Sequence, residues 1–196
     1  IFKNHLTYQI IGLTLDDAAG EALDKAAKML NLGYPGGPVI ERLAKTINNI
    51  DKYRFPRPMI KSNDLNFSFS GLKTSFYYFL KKNPQLIKKD LHYLASSFQE
   101  AVFDSSLIKT EKAIKKTKIN RLLVVGGVSA NLYLRKKFRQ LIKKFHGEVF
   151  FPSFKYLTGD NAAMIGVVAY YKSLKRLFIK DLNKLDRLPR MDLENN

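Results

Sequence analysis

Arg121-Leu122-Leu123-Val124-Val125-Gly126-Gly127-Val128-Ser129-Ala130-Asn131 is the stretch on which the fold turns. Residues 121–125 make a short continuous apolar run, the pattern of a strand buried in a parallel sheet. The run passes straight into Gly126-Gly127, and Ser129 stands where it can cap a helix from about Ala130 to Lys144. Strand, glycine pair and helix in that order present backbone N–H groups and a positive dipole end to an anion. Neither glycine puts a Cβ in a ligand's way, and Asn131 carries an amide that can reach a ribose or phosphate. A glycine pair after a strand is also an ordinary tight turn. By itself the stretch gives the class: α/β, with a parallel element.

Downstream the arrangement recurs. Glu148 to Phe151 reads as a second strand closed by Pro152, and Thr158-Gly159-Asp160-Asn161 leads into a last core helix through Tyr171. Thr158 or Asp160 caps that helix. An aspartate on a Gly-flanked loop at a strand's carboxyl end is also a good metal ligand for a nucleotide site. Lys172 to Asn196 forms a charged helix and tail. Upstream, the spacing of Leu91, Leu94, Phe98, Ala101, Val102, Ser105, Leu107 and Ile108 predicts a long helix from Lys88 to about Lys116. Ser68 or Ser70 caps another through Leu80, which Pro84 breaks, and residues 51–61, with Pro56 and Pro58, are irregular. Ile1 to Gly12 reads as two short strands around Asn4-His5.

Between these lies an unusual block. Asp17, Gly20, Glu21 and Asp24 fall at helical spacing in a helix running from Asp16 or Asp17 to about Leu30. That face is carboxylate-lined and nearly bare of bulk, while Ala18, Ala22 and Ala26, flanked by leucines, suit a core. The chain then turns through Gly33-Tyr34-Pro35-Gly36-Gly37-Pro38 into a helix from Pro38 to about Ile47. An acidic helix start that complements its own dipole is one reading of the block. A ligand-facing wall is the other.

The surroundings make that cluster stand out, because the 196 residues carry 34 Lys and Arg against 17 Asp and Glu, a net charge of +17. Such an excess attracts polyanions, nucleic acid first and a membrane surface second, although the lysines are spread along the chain. Apolar content of 45% is ordinary for a globular protein. No cysteine is present, which excludes disulfides, thiolate metal sites and a cysteine nucleophile. The longest apolar stretch, Ala162 to Tyr171, is about half of what a bilayer needs. No signal peptide is visible, and a cytoplasmic location follows as the expectation.

Taken in order, Thr14-Leu15-Asp16-Asp17-Ala18-Ala19-Gly20-Glu21-Ala22-Leu23-Asp24-Lys25, Gly33-Tyr34-Pro35-Gly36-Gly37-Pro38, Phe69-Ser70-Gly71-Leu72-Lys73-Thr74, Ser97-Phe98-Gln99-Glu100, Gly126-Gly127-Val128-Ser129-Ala130-Asn131 and Asp160-Asn161-Ala162-Ala163-Met164-Ile165 closely resemble the TsaD family of tRNA adenosine threonylcarbamoyltransferases. The resemblance implies an α/β fold of the actin and sugar-kinase type (ASKHA, ribonuclease-H-like), here one lobe with a helical insertion. It implies transfer of a threonylcarbamoyl group from threonylcarbamoyl-AMP to the exocyclic amine of the adenosine 3′ of certain anticodons. Asp24 and Gly37 match contacts to the adenylate, and so does Asn131. Glu41 falls where some members use an acid for the same ligand, and a first-turn acid complementing the dipole is its alternative. Asp160 matches a ligand of the family's divalent metal ion, iron or zinc. No residue is assigned as a nucleophile, because a mixed anhydride is already activated. The partners implied are tRNA, the adenylate and the accessory proteins of the threonylcarbamoyladenosine complex.

One departure is large. The family pairs two histidines as His-x-x-x-His and adds a Ser-Gly-Gly-His loop for phosphate. Here the histidines are His5, His92 and His146, and neither motif is present. The expectation is a C-terminal portion without its N-terminal metal-binding half, which alone binds metal poorly and does not modify tRNA. Residues 1–172 would form that portion, with an insertion at about 48–118. Residues 173–196 would form a basic helix and tail, whose Leu188-Pro189-Arg190-Met191 looks like a natural C-terminus. The alternative is a non-catalytic scaffold or paralogue of the same fold; a kinase or ATPase of that fold is the third reading.

Overall fold

A computed structural model describes residues 1–179 together with Asp181, Asn183 and Asp186. They divide into two compact units: Gly12–Thr158, and Ile1–Ile11 with the described residues from Gly159 onward. Most of the expected basic tail, including the Leu188-Pro189-Arg190-Met191 string, lies outside the described residues.

The larger unit is built on helices. In order they are α1 (Ala19–Met29), α2 (Gly36–Thr46), α3 (Ser70–Lys82), a single turn α4 (Leu86–Lys89) and α5 (Leu91–Thr117). At the centre runs α5, with every residue from Leu94 to Phe103 buried. It is buried all round there because α1, α2 and α6 (Leu132–Lys143) all pack on it. Phe76, Phe98 and Phe103 are fully enclosed in this core, each contributing about 2–3 kcal/mol by burial. α1 applies Ala22, Leu23, Ala26 and Ala27 to the same core, and its small residues let the neighbouring backbones come close.

Several buried polar residues of α5 are matched from outside the helix, whereas Ser105 donates to the Ala101 carbonyl of α5 itself and Ser96 Oγ has no partner among the described residues. Ser97 Oγ accepts from the Tyr53 amide. Lys109, 2% exposed, donates to Ser62 Oγ at 2.7 Å and to the Asp64 carbonyl at 2.8 Å. Lys137 of α6 (Leu132–Lys143) pairs with Glu100 and lies 3.0 Å from Asp104, which Arg57 also holds. Burial pushes the Glu100 carboxyl up, offset only in part by Lys137. The same cluster raises the Tyr133 hydroxyl to about 12, through burial and then the Glu100 carboxylate. This knot clamps α6 to α5 and fixes the turn that precedes α6.

That turn follows β3 (Arg121–Leu123), which pairs in parallel with β4 (Glu148–Phe150) in the register Leu122 to Val149. The parallel pairing expected from the apolar run is present. The expected burial is not: Leu123 and Val125 are 64% exposed and Phe150 50%, so one face of the pair is open. Leu122, Val124 and Val149, on the other face, pack on the helical core. Period-2 alternation has replaced burial on both faces.

Several helix starts differ from expectation. α1 begins at Ala19, so Asp16 and Asp17 precede it. α2 begins at Gly36, two residues before Pro38. A 3-10 turn spans Gly127–Ala130, and Asn131 caps α6 in place of Ser129. Asp90 interrupts the long helix expected from Lys88, where its carboxylate binds Lys52 and Tyr53.

The smaller unit joins an antiparallel hairpin, β1 (Phe2–Asn4) and β2 (Thr7–Tyr8), to α7 (Ala162–Leu174). Its turn lies at His5-Leu6, one residue on from the expected place, with Leu6 in the left-handed region. The His5 ring stacks on Tyr171 at 3.5 Å, and Lys175 donates to the His5 carbonyl. Asn161 caps α7, accepting from the Met164 amide at 3.2 Å, so neither Thr158 nor Asp160 is its cap.

Candidate functional site

Three of the acidic residues in this region cap helices to which they do not belong. Asp24, on α1, accepts through Oδ1 from the Gly36 amide at 2.7 Å and the Gly37 amide at 3.2 Å, at the start of α2. Glu41, on α2, accepts through Oε1 from the Leu132 amide at 2.7 Å, at the start of α6. Asp16 accepts from the Phe69 and Ser70 amides and the Ser68 hydroxyl, at the start of α3. Each carboxylate meets the positive end of a neighbouring helix, where orphan N–H groups need an acceptor. Glu41 is therefore no first-turn acid of its own helix; α2 has none.

These contacts form a chain. Gly37 and Glu41 are four residues apart and share a face of α2. Asp24 touches the first and the start of α6 touches the second. Asn131 sits beside Leu132, buried to 7% exposure. Its amide oxygen accepts from Leu134 at 2.9 Å and its nitrogen donates to Gln99 at 3.0 Å. Gln99 in turn donates to Asn49 at 3.0 Å. The structure thus gathers Asp24, Gly37, Glu41 and Asn131 along one stripe running from α1 across α2 to α6. Gly20 joins them, since a Cβ there would stand 3.2 Å from Val128.

The two glycines of α2 serve different ends. A side chain at Gly36 would run into Ala27 and the Asp24 backbone, so this position is closed by packing. At Gly37 nothing lies within 4 Å, and the bare backbone is open to an incoming group. Gly126 has φ +86°, which favours glycine and swings the chain from β3 into the turn.

Beside this stripe lies a cavity of about 980 Å³, whose lining includes Gly20, Glu21, Asp24, Lys28, Asn31 and Tyr34. Its size is at the upper end of small-ligand pockets. Lys25 belongs to the same wall but is held by Asp17 at 2.5 Å and Glu21 at 2.8 Å. Hydrogen bonding from Lys25 holds the Asp17 carboxyl below the ordinary range despite burial, with help from Lys73. For Asp16, burial pushes upward, but the amides and hydroxyls of residues 68–70 outweigh it and hold the carboxyl well below that range. Lys28 makes no ion pair among the described residues and is the available cation of the cavity. Tyr34, 85% exposed, offers a ring at its edge. Lys28 and Tyr34 were not singled out in the sequence, although Tyr34 sits inside the Gly33–Pro38 motif.

Asp160 lies in the smaller unit, exposed on the loop before α7. Among the described residues no three His, Cys, Asp or Glu side chains gather as a metal set. His5 is stacked on Tyr171, and His92 shares a hydrogen bond with Thr46 at 2.6 Å. A lone carboxylate does not hold a divalent ion against water. The residues present do not by themselves fit a metal centre. No helix among the described residues is long and apolar enough to cross a membrane.

Comparison with known proteins agrees with the motifs. The family model described as "TsaD: tRNA N6-adenosine threonylcarbamoyltransferase" matches residues 1–167. The chain is 48% identical over 171 residues to the tRNA N6-adenosine threonylcarbamoyltransferase of Kosmotoga olearia, covering 87% of this chain and 50% of that protein. It is 46% identical over 188 residues to that of Endomicrobium trichonymphae, covering 96% and 54%. Against that of Buchnera aphidicola it is 52% identical over 171 residues, covering 86% and 49%. The chain spans about half the length of the curated relatives it matches. With the ordered motifs and a family match over most of its length, the chain belongs to the TsaD family of tRNA N6-adenosine threonylcarbamoyltransferases.

Proposed function

We propose that the chain is the C-terminal portion of an enzyme that transfers the threonylcarbamoyl group from threonylcarbamoyl-AMP to the exocyclic amine of the adenosine 3′ of the anticodon, in tRNAs reading codons that begin with adenine. Family membership implies the actin and sugar-kinase type of fold. Within it, residues 1–172 are one lobe with a helical insertion at about 48–118, and residues 173–196 a basic helix and tail. The exposed apolar face of β3 and β4 supports a missing remainder, because parallel sheets are ordinarily covered on both faces. The accessory proteins of the modification complex are its partners, and the cytoplasm is its place.

The observation that carries the reading is the linkage of Asp24, Gly37, Glu41 and Asn131 along one stripe from α1 to α6, at whose α1 end Asp24 lines the cavity. Asp24 uses one oxygen to hold the start of α2, leaving the other to accept from ribose hydroxyls. Gly37 admits the sugar or ring without steric conflict. Glu41 and Asn131 set the start of α6, and the second amide hydrogen of Asn131 is the donor to the ligand. Lys28 balances phosphate charge, and Tyr34 packs on an exposed ring. The donor is an activated anhydride, so this wall needs only to orient the acyl carbon against the amine. Asp160 contributes one metal ligand, the others coming from outside this chain.

The test is adenylate binding and transfer in the longer enzyme that contains the chain. Asp24→Ala should raise the Kd for threonylcarbamoyl-AMP at least about tenfold, roughly one charge-assisted hydrogen bond. Wild-type affinity in that variant would overturn the assignment of this wall. A longer protein that binds tRNA but transfers nothing would favour the scaffold reading.

A further inference from the structure

The outer face of α3 has no role in the adenylate wall, and its composition is unusual. From Leu65 to Lys89 the chain contains five lysines and no acidic residue. Lys73 is taken up by Asp17 at 3.1 Å. Lys81, Lys82 and Lys88 are exposed and make no ion pair among the described residues. Leu72, Phe76 and Leu80 carry the buried side of α3. Tyr77 and Tyr78 face outward, 50% and 61% exposed, their rings edge to face at 5.4 Å. Lys81 and Lys82 follow them at i+4, so each ring has an ammonium group one turn along the same stripe.

We propose that this face of α3, with the lysines of α4, is a docking surface for unpaired RNA nucleotides. Tyr77 and Tyr78 stack splayed-out bases while Lys81, Lys82 and Lys88 neutralise the adjoining phosphates. The choice of RNA rests on the tRNA substrate proposed above. Charge complementarity and chemistry favour it over a protein partner. Lysine is depleted from protein–protein interface cores, whereas aromatic rings interleaved with cations are how single-stranded nucleic acid is held. Rings on the surface stack on any base, so the surface supplies affinity and orientation and leaves sequence choice to the site.

The experiment measures binding of a fluorescein-labelled tRNA anticodon hairpin to the full chain by anisotropy across a salt series. The double variant Tyr77→Ala/Tyr78→Ala should bind at least about 30-fold more weakly with an unchanged salt slope. Tyr77→Phe/Tyr78→Phe, which keeps the rings, should bind as wild type. Lys81→Gln/Lys82→Gln should weaken binding and reduce the slope of log K against log salt by about 1.4. Hairpin binding unchanged in the alanine pair overturns the proposal. So does an equal loss on a fully duplex RNA, or a loss confined to an acidic protein partner. Adenylate affinity is measured on the same variants and should not move. If the longer enzyme that contains the chain transfers nothing while hairpin binding is still lost with the tyrosines, the surface stands and the enzymatic reading is rejected; if Asp24→Ala loses adenylate in that enzyme while the tyrosine variant keeps RNA, the reverse holds.

Discussion

Two apolar segments of the larger unit meet opposite fates. The stretch 94–103 of α5 is enclosed on every side, with even its serines and Gln99 buried. The β3–β4 pair presents Leu123, Val125 and Phe150 to solvent on one face while the other packs on the helices. Both read as core in the sequence. The difference teaches that the helical core closes on itself, whereas the strand pair is covered on one face only.

The sharpest way to break this comparison is to truncate both. Phe98→Ala should lower unfolding free energy by about 3–5 kcal/mol, whereas Leu123→Ala, at an exposed position, should change it by less than about 0.5 kcal/mol. Denaturant titration of both variants measures this; equal costs would mean the sheet face is covered. The next effect is polar. Gln99→Leu removes the link between Asn49 and the Asn131 cap, leaving buried groups unpaired at a cost of about 1–3 kcal/mol. The Leu134 amide should exchange faster with solvent deuterium, and unchanged exchange would show that Asn131 holds its place without Gln99.

The smallest effect belongs to the remote caps. Asp16→Ala should cost about 1 kcal/mol by uncapping α3. Folded Asp16 and Asp17 titrate below their unfolded range. Their stabilisation is therefore complete above an unfolded pKa of about 3.9 and declines as pH falls through the lower folded values. Unfolding free energy measured against pH should fall less steeply below pH 4 in Asp16→Ala than in the wild type. A wild-type acid limb would show that the Asp16 contacts carry no net stability.

Much of this architecture was legible. Apolar spacing marked α5, the acidic and alanine faces marked α1, caps and breakers marked α3 and α6, and the Val-Val-Gly-Gly run marked a parallel strand and its turn. The ordered motifs named four residues that the structure brings together. What was misread was the use of the acids. Asp16, Asp24 and Glu41 look like parts of a local acidic helix, yet their partners lie 53, 12 and 91 positions away. A carboxylate caps whichever helix start the fold carries to it, and nothing local marks that partner. The helix starts moved for the same reason: with Asp24 holding the Gly36 and Gly37 amides, α2 begins before its proline.

The sequence by itself determined most of the elements, the family and the residues proposed for the adenylate wall, because side-chain spacing and motif order act over a few turns of chain. Only the tertiary structure decided which carboxylate caps which helix, that Asn131 is anchored by Gln99, and that the parallel pair keeps an open face. Those outcomes depend on which distant segments meet, and burial and helix dipoles select among acceptors only after the core has closed.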